Sequence, residues 1–193
     1  MEISKQIQGL NAGLLGLFSA YLIGRGDVGA EVIAIPAIST GKYVLLANTK
    51  GPDTQWTHYL SWFLTTPIML YLIFSLNNMP FIRMAVLIAM NQLMIVSGYM
   101  GEGKDPWFWF IGGCFAFLPI LYELAMLEKG IPLIVLTLVT WSLYPVVWAL
   151  FHEKLITWSS RNTSYSFLDF TSKAGLVTLY LICLLYTSPS PRD

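Results

Sequence analysis

Lys173 and Asp169 stand four residues apart in the phrase Leu168-Asp169-Phe170-Thr171-Ser172-Lys173. Residues at that spacing share a helix face, so the ammonium and the carboxylate can pair directly. They lie in the last apolar segment of a chain that reads as a set of membrane helices. A lysine or an aspartate is costly in a bilayer and is kept there for a function. A buried lysine is also the side chain that condenses with an aldehyde to give a Schiff base. The pair therefore points to a covalently held aldehyde chromophore with its counterion on the same helix turn.

Two aromatic segments offer walls for such a ligand. In Trp141-Ser142-Leu143-Tyr144-Pro145-Val146-Val147-Trp148, the residues Trp141, Tyr144 and Trp148 fall at i, i+3 and i+7, one face of a helix. The second segment is Trp62-Phe63-Leu64-Thr65-Thr66-Pro67. Facing aromatic surfaces suit a flat conjugated ligand better than a flexible lipid; the plain alternative is an aromatic contact between helices. Pro67 and Pro145 should kink their helices and free backbone carbonyls that neighbours must satisfy.

The elements that must position these residues are membrane helices. The chain is 55% hydrophobic and 11% charged, which excludes an ordinary soluble domain, and its formal net charge of zero gives no basic patch for nucleic acid. About 20 residues cross the hydrocarbon. On that measure the sequence predicts α1 over 7–24, α2 over 28–49, α3 over 56–76, α4 over 79–100, α5 over 106–127, α6 over 130–151 and α7 over 164–186. Turn signals separate them at Arg25-Gly26-Asp27, Lys50-Gly51-Pro52-Asp53, Asn77-Asn78-Met79-Pro80, Gly101 to Pro106 and Glu128-Lys129-Gly130. The α6–α7 connection, His152 to Thr163, is the longest and most polar. The fold class expected is an all-α, seven-helix membrane bundle over 1–186, with a disordered or non-native Ser/Pro tail over 187–193. Cys114 and Cys183 each sit in an apolar run and read as small buried hydrophobes, with no disulfide or metal pattern. The first apolar run lacks the basic start and cleavage site of a signal peptide. Lysines and arginines are spread evenly over the loops, so they do not set the orientation.

The Trp62–Pro67, Trp141–Trp148 and Leu168–Lys173 segments resemble signatures of the microbial (type 1) rhodopsin family, of the bacteriorhodopsin and proteorhodopsin kind. Gly98-Tyr99-Met100-Gly101-Glu102, Ile111-Gly112-Gly113-Cys114 and Leu121-Tyr122-Glu123-Leu124 are similar to its fourth and fifth helices. The likeness runs from about Ala30 to Leu185, in the family's order. The short loops and the Asn162-Thr163-Ser164-Tyr165 segment are similar to viral and algal-virus members. The resemblance implies all-trans retinal on Lys173 as a protonated Schiff base, with Asp169 in its counterion complex. It places Trp62, Thr65, Thr66, Met94, Gly98, Trp141, Tyr144 and Trp148 around the polyene. It implies a hydrogen bond from Tyr43 to Asp169 and one between Asn91 and Thr66. It further implies a multi-pass protein of the cell or plasma membrane that acts on small inorganic ions, binds no nucleic acid, is not an enzyme and forms a homo-oligomer.

Departures from the proton-pumping members lie in α3. The position of the proton acceptor is Ser61, whose hydroxyl cannot accept a further proton and keep it near neutral pH. The position of the proton donor, eleven residues on, is Leu72. Ser61, Thr65 and Leu72 share a face because eleven residues make close to three turns. The arginine position three residues before the acceptor is His58, neutral or charged. Lys42, next to Tyr43, lies near the same level of α2. One carboxylate against this surplus of positive charge would attract an anion. The expected function is a light-gated anion channel, with a light-driven chloride pump or a sensory photoreceptor as alternatives, and Ser61, His58, Lys42, Tyr43 and Asn91 along the ion path. Lys42 either faces that path or snorkels to the membrane surface. His58 either joins the path or only caps the outer end of α3 or binds water. Glu123 reads as structural. Glu153 and Arg161 suggest a surface ion pair, and Asn162-Thr163-Ser164 a helix N-terminus.

Overall fold

The computed structural model describes residues 2–49 and 54–187. Seven helices follow one another: α1 (Glu2–Arg25), α2 (Ala30–Asn48), α3 (Trp56–Leu76), α4 (Phe81–Met100), α5 (Pro106–Ala125), α6 (Ile131–His152) and α7 (Trp158–Thr187). All seven are long and apolar enough to cross a membrane. They alternate in direction and pack in chain order, and α7 closes the ring against α1. α2 and α3 also meet α7 across the centre. Large apolar side chains such as Leu17, Phe81, Phe108 and Phe115 point outward, as lipid-facing positions require.

The turns follow local chemistry. Gly130 has a φ of +76°, and a Cβ there would lie 3.0 Å from Leu76 Cδ2, so the α5–α6 turn needs glycine twice over. Asn77 clips this turn to the end of α3: its Nδ2 donates to the Lys129 carbonyl at 3.1 Å, and the Lys129 N–H donates to its Oδ1 at 2.9 Å. α3 and α6 run through Pro67 and Pro145. The carbonyl of Phe63, which Pro67 cannot serve, accepts a hydrogen bond from Gln92 Nε2 of α4 at 2.9 Å. The predicted turn over 50–53 and residues 188–193 of the predicted tail lie outside the described residues.

Two predicted boundaries need correction. α1 begins at Glu2, not at 7, because the polar Ser4 and Gln8 turn inward and are buried. α7 begins at Trp158, not at 164, so the α6–α7 connection shortens to 153–157. Thr157 starts the helix by accepting the Ser160 N–H on its Oγ1 at 3.1 Å. Asn162 therefore lies inside α7 and is buried, rather than marking its start. Polarity suggests a loop here, yet Arg161 and Asn162 face the bundle interior.

Arg161 is the largest of the fully buried side chains, and it pairs with Glu102, not with Glu153 at the surface. Its Nη1 donates to Glu102 Oε2 at 3.0 Å, while Tyr59 OH donates to Glu102 Oε1 at 2.5 Å. The guanidinium lies 4.4 Å from the Phe151 ring. This cluster ties α7 to α3 and to the end of α4. Glu123 has its own partner, Arg83 Nη2 at 2.6 Å, which fits the structural role expected of it.

The two ends of the bundle differ. Toward the ends of α3 and α7 the interior is apolar, built from Leu70, Leu72, Ile73 and Phe74 with Leu133, Leu176 and Val177. Toward their starts it holds His58, Ser61, Arg161, Asn162, Ser166 and Asp169, all buried. Removing one partner of a buried ion pair leaves a charge without compensation. Arg161→Met should therefore cost on the order of 3 kcal/mol in a detergent-unfolding titration, and adding Glu102→Gln should recover part of that loss.

Candidate chromophore and counterion site

Asp169 is fully buried in the middle of α7, and five donors converge on its carboxylate. Lys173 Nζ donates to Oδ1 at 2.6 Å, one turn along the same helix. Trp62 Nε1 of α3 and Tyr144 OH of α6 donate to the same oxygen at 2.9 and 2.8 Å. Tyr43 OH of α2 donates to Oδ2 at 2.9 Å, and Lys42 Nζ forms an ion pair with that oxygen. Four helices thus meet at one side chain. Charge-assisted bonds of this kind are the strong ones, and burial in a low-dielectric interior strengthens them further.

Lys42 is 6% exposed and points inward, so it does not snorkel. Its ammonium lies 4.0 Å from the Tyr43 ring centroid. His58 is 1% exposed and faces α7, where its Nε2 lies 3.3 Å from Asn162 Oδ1; it does not cap the outer end of α3. Ser61 is buried beside it, one turn along α3, and its backbone carbonyl accepts Thr65 Oγ1 at 2.7 Å. Leu72 lies in the apolar cluster. Ser61 Oγ, His58 Nδ1, Asn162 Nδ2, Ser166 Oγ and Arg161 Nε are buried and make no hydrogen bond to another described group. A run of such atoms is costly unless small polar species satisfy them.

Beside this polar cluster is a cavity of about 120 Å³ between α3, α4, α5, α6 and α7. Eight of its eighteen lining residues are aromatic, which gives it flat walls rather than a round interior. Trp62 meets Tyr144 and Tyr165 edge-on, each with ring centroids 5.1 Å apart. Trp148 stacks on Phe110 at 4.7 Å. Lys173 is the one amine among the lining residues; Lys42 is not among them. An aromatic slot with a single lysine in its wall, and a carboxylate 2.6 Å from that lysine, fits a flat aldehyde bound as a charged Schiff base.

Of the residues expected around a polyene, Trp62, Thr66, Met94, Gly98, Trp141, Tyr144 and Trp148 line the cavity with Lys173. Thr65 does not; it is fully buried with its hydroxyl turned to its own helix. Asp169 stands behind the wall formed by Trp62 and Tyr144, touching the cavity through Lys173. Asn91 Nδ2 donates to Thr66 Oγ1 at 2.6 Å, which links α3 to α4 as expected. Sequence reasoning missed Tyr59, Phe110, Phe117 and Tyr165 in the wall. Cys114, expected to be a buried hydrophobe, is only partly buried and also lines the cavity; Cys183 is partly buried too. The Lys42–Asp169 and Arg161–Glu102 pairs were missed as well. A signal for the position of Arg161 existed: Arg161, Tyr165, Asp169 and Lys173 recur every four residues, so one face of α7 carries all of them.

Comparison with known proteins identifies the family and the fold. A family model described as "Bacteriorhodopsin-like protein" matches residues 11–186. Halorhodopsin of Natronomonas pharaonis is 32% identical over 165 residues, covering 74% of this chain and 57% of that protein. Archaerhodopsin-2 of Halobacterium sp. (strain aus-2) is 26% identical over 201 residues, covering 84% of this chain and 77% of that protein. The chain thus spans little more than half the length of that halorhodopsin. Among solved structures, the proton pumping rhodopsin AR2 of the marine alga Acetabularia acetabulum superposes with a TM-score of 0.86 at 21% identity, covering 96% of each chain. At that identity the likeness shows the fold.

The Asn91–Thr66 bond offers a test of how the site is held. Interhelical hydrogen bonds in membranes are worth about 0.6 kcal/mol on average and up to roughly 1.7. Asn91→Ala and Thr66→Ala should each destabilise the bundle, and a double-mutant cycle should show coupling of that size. Coupling near zero would mean that the bond does not hold α3 to α4. The cofactor of this family is retinal, bound through a Schiff base on a lysine, and its members carry out light-driven ion transport or sensory reception. The chain is an integral, multi-pass membrane protein and belongs to the bacteriorhodopsin-like family of microbial rhodopsins.

Proposed function

We propose that the chain is a light-gated channel for small anions, chloride foremost, with retinal attached to Lys173 and the ion path running past Ser61. One observation carries this: two buried lysines, Lys42 and Lys173, share one carboxylate, Asp169. Two cations against one anion leave a surplus positive charge in a low-dielectric interior, where it attracts a mobile anion more strongly than in water.

The chain's own residues fill the remaining roles. Asp169 holds the charged nitrogen of Lys173 in place, and Trp62 and Tyr144 orient that carboxylate from two other helices. Ser61 occupies the position where a proton acceptor would stand, and a hydroxyl cannot take up and keep a second proton there. With Leu72 at the far end of the same face, the helix has neither end of a proton relay. The buried donors of Ser61, Asn162, Ser166 and Arg161 that lack described partners suit an anion and its water shell, since N–H and O–H groups point charge-favourably at an anion. The apolar half around Leu72, Leu133 and Leu176 supports a path that is closed in the dark. Bound at Lys173, retinal supplies absorption of visible light and an isomerisation that displaces the nitrogen it shares with the lysine.

Whole-cell recording with bath chloride exchanged for a large anion tests this. The light-evoked current should reverse at a potential that follows the chloride gradient. A current that stays outwardly or inwardly directed at every potential would replace the channel with a pump. The absence of current would leave a sensory role. Lys173→Ala should abolish both the visible absorption band and the current; a band that survives this substitution would place retinal elsewhere.

A further inference from the structure

We propose that Lys42 is a resident internal cation that divides the charge of Asp169 with Lys173 and thereby sets the colour of the pigment. This rests on retinal being attached to Lys173.

Asp169 gives one oxygen to each lysine: Oδ1 takes Lys173 and Oδ2 takes Lys42. Both ammonium groups are 2% exposed at the side chain and the carboxylate is 0% exposed, so water screens neither contact. Lys42 is not among the residues that line the cavity, whereas Lys173 is. Its role is therefore electrostatic. It is a positioning residue that acts on the bound group only through Asp169.

The groups facing this centre come from α2, α3, α6 and α7, while α1 adds the neutral Asn11, whose Nδ2 donates to the Ser166 carbonyl at 2.7 Å. On α2 itself Tyr43 donates to the same oxygen as Lys42 and stacks under its ammonium. α3 contributes His58, within electrostatic reach of Lys42, Asp169 and Arg161, and the neutral Trp62. α6 contributes Tyr144, and α7 contributes Arg161 one face-repeat beyond Tyr165. None of these is a second carboxylate. The negative field at Lys173 is thus that of Asp169 reduced by Lys42, and Glu102, another acid in contact with α3 and α7, is already engaged by Arg161 and Tyr59.

The consequence for colour follows from where charge moves. In the ground state the positive charge of a protonated Schiff base sits at the nitrogen; excitation carries it away along the conjugated chain. A strong negative field at the nitrogen lowers the ground state more than the excited state and raises the absorbed energy. Lys42 weakens that field, so the wild-type band should lie at longer wavelength than a full aspartate would give.

The experiment uses the full chain loaded with all-trans retinal, read by absorption spectra of the purified protein. Lys42→Met and Lys42→Gln, which remove the charge with and without a polar end, should both shift the visible band to shorter wavelength. They should also keep that band to higher pH. Lys42→Arg, which retains the charge, should keep the wild-type band. An unshifted or red-shifted band in Lys42→Met or Lys42→Gln would overturn the proposal, as would an equal blue shift in Lys42→Arg. A purely packing role for Lys42 would alter yield or thermal stability without this dependence on charge. Failure of the underlying attachment shows itself differently: the wild type would form no visible band that depends on Lys173.

Discussion

The structure depends on one carboxylate. Asp169 is the point at which α2, α3, α6 and α7 exchange hydrogen bonds, and its carboxylate is fully buried. Two lysines and three neutral donors on two oxygens fix its orientation closely. They also mean that any change in the position of Lys173 is felt at once by Lys42, Tyr43, Trp62 and Tyr144. A site of this kind converts a small displacement at one nitrogen into a change in the contacts among four helices.

The remainder of the bundle is arranged around that point in two unlike halves. The half that holds the start of α7 carries Arg161, Asn162, Ser166, His58 and Ser61, with several donors that no described group satisfies. The other half is sealed by leucine, isoleucine, valine and phenylalanine. Glu102 and Arg161 stand in the polar half and are tied to the cavity wall through Tyr59, whose ring sits 3.0 Å from where a Cβ on Gly98 would be. The aromatic cavity lies beside the cluster around Asp169, and Lys173 belongs to both.

Much of this was legible in the sequence. Hydropathy and turn residues located seven helices, and the four-residue step from Asp169 to Lys173 gave the ion pair directly. The Trp141, Tyr144 and Trp148 spacing gave one wall of the cavity. What escaped was pairing between distant segments. Lys42 and Asp169 are 127 residues apart, and nothing local to α2 says whether a lysine near a helix end turns inward or toward the membrane surface. Arg161 reads as a surface residue in the sequence because it falls, with Glu153, in the polar connection expected between α6 and α7. In a membrane bundle, however, the polar side of a helix is the inner one, so polarity argued for burial there. The early start of α7 was missed for the same reason. Thr65 was expected in the cavity wall, but its hydroxyl is spent on its own helix.

The most direct measurement is the absorption spectrum of Asp169→Asn, loaded with retinal at neutral pH in halide-free buffer. With the single carboxylate gone and Lys42 still beside it, a positive charge on Lys173 loses its support. The visible band should give way to one in the near ultraviolet. An unchanged visible band would contradict the account, because it would mean that another group balances the charge at Lys173.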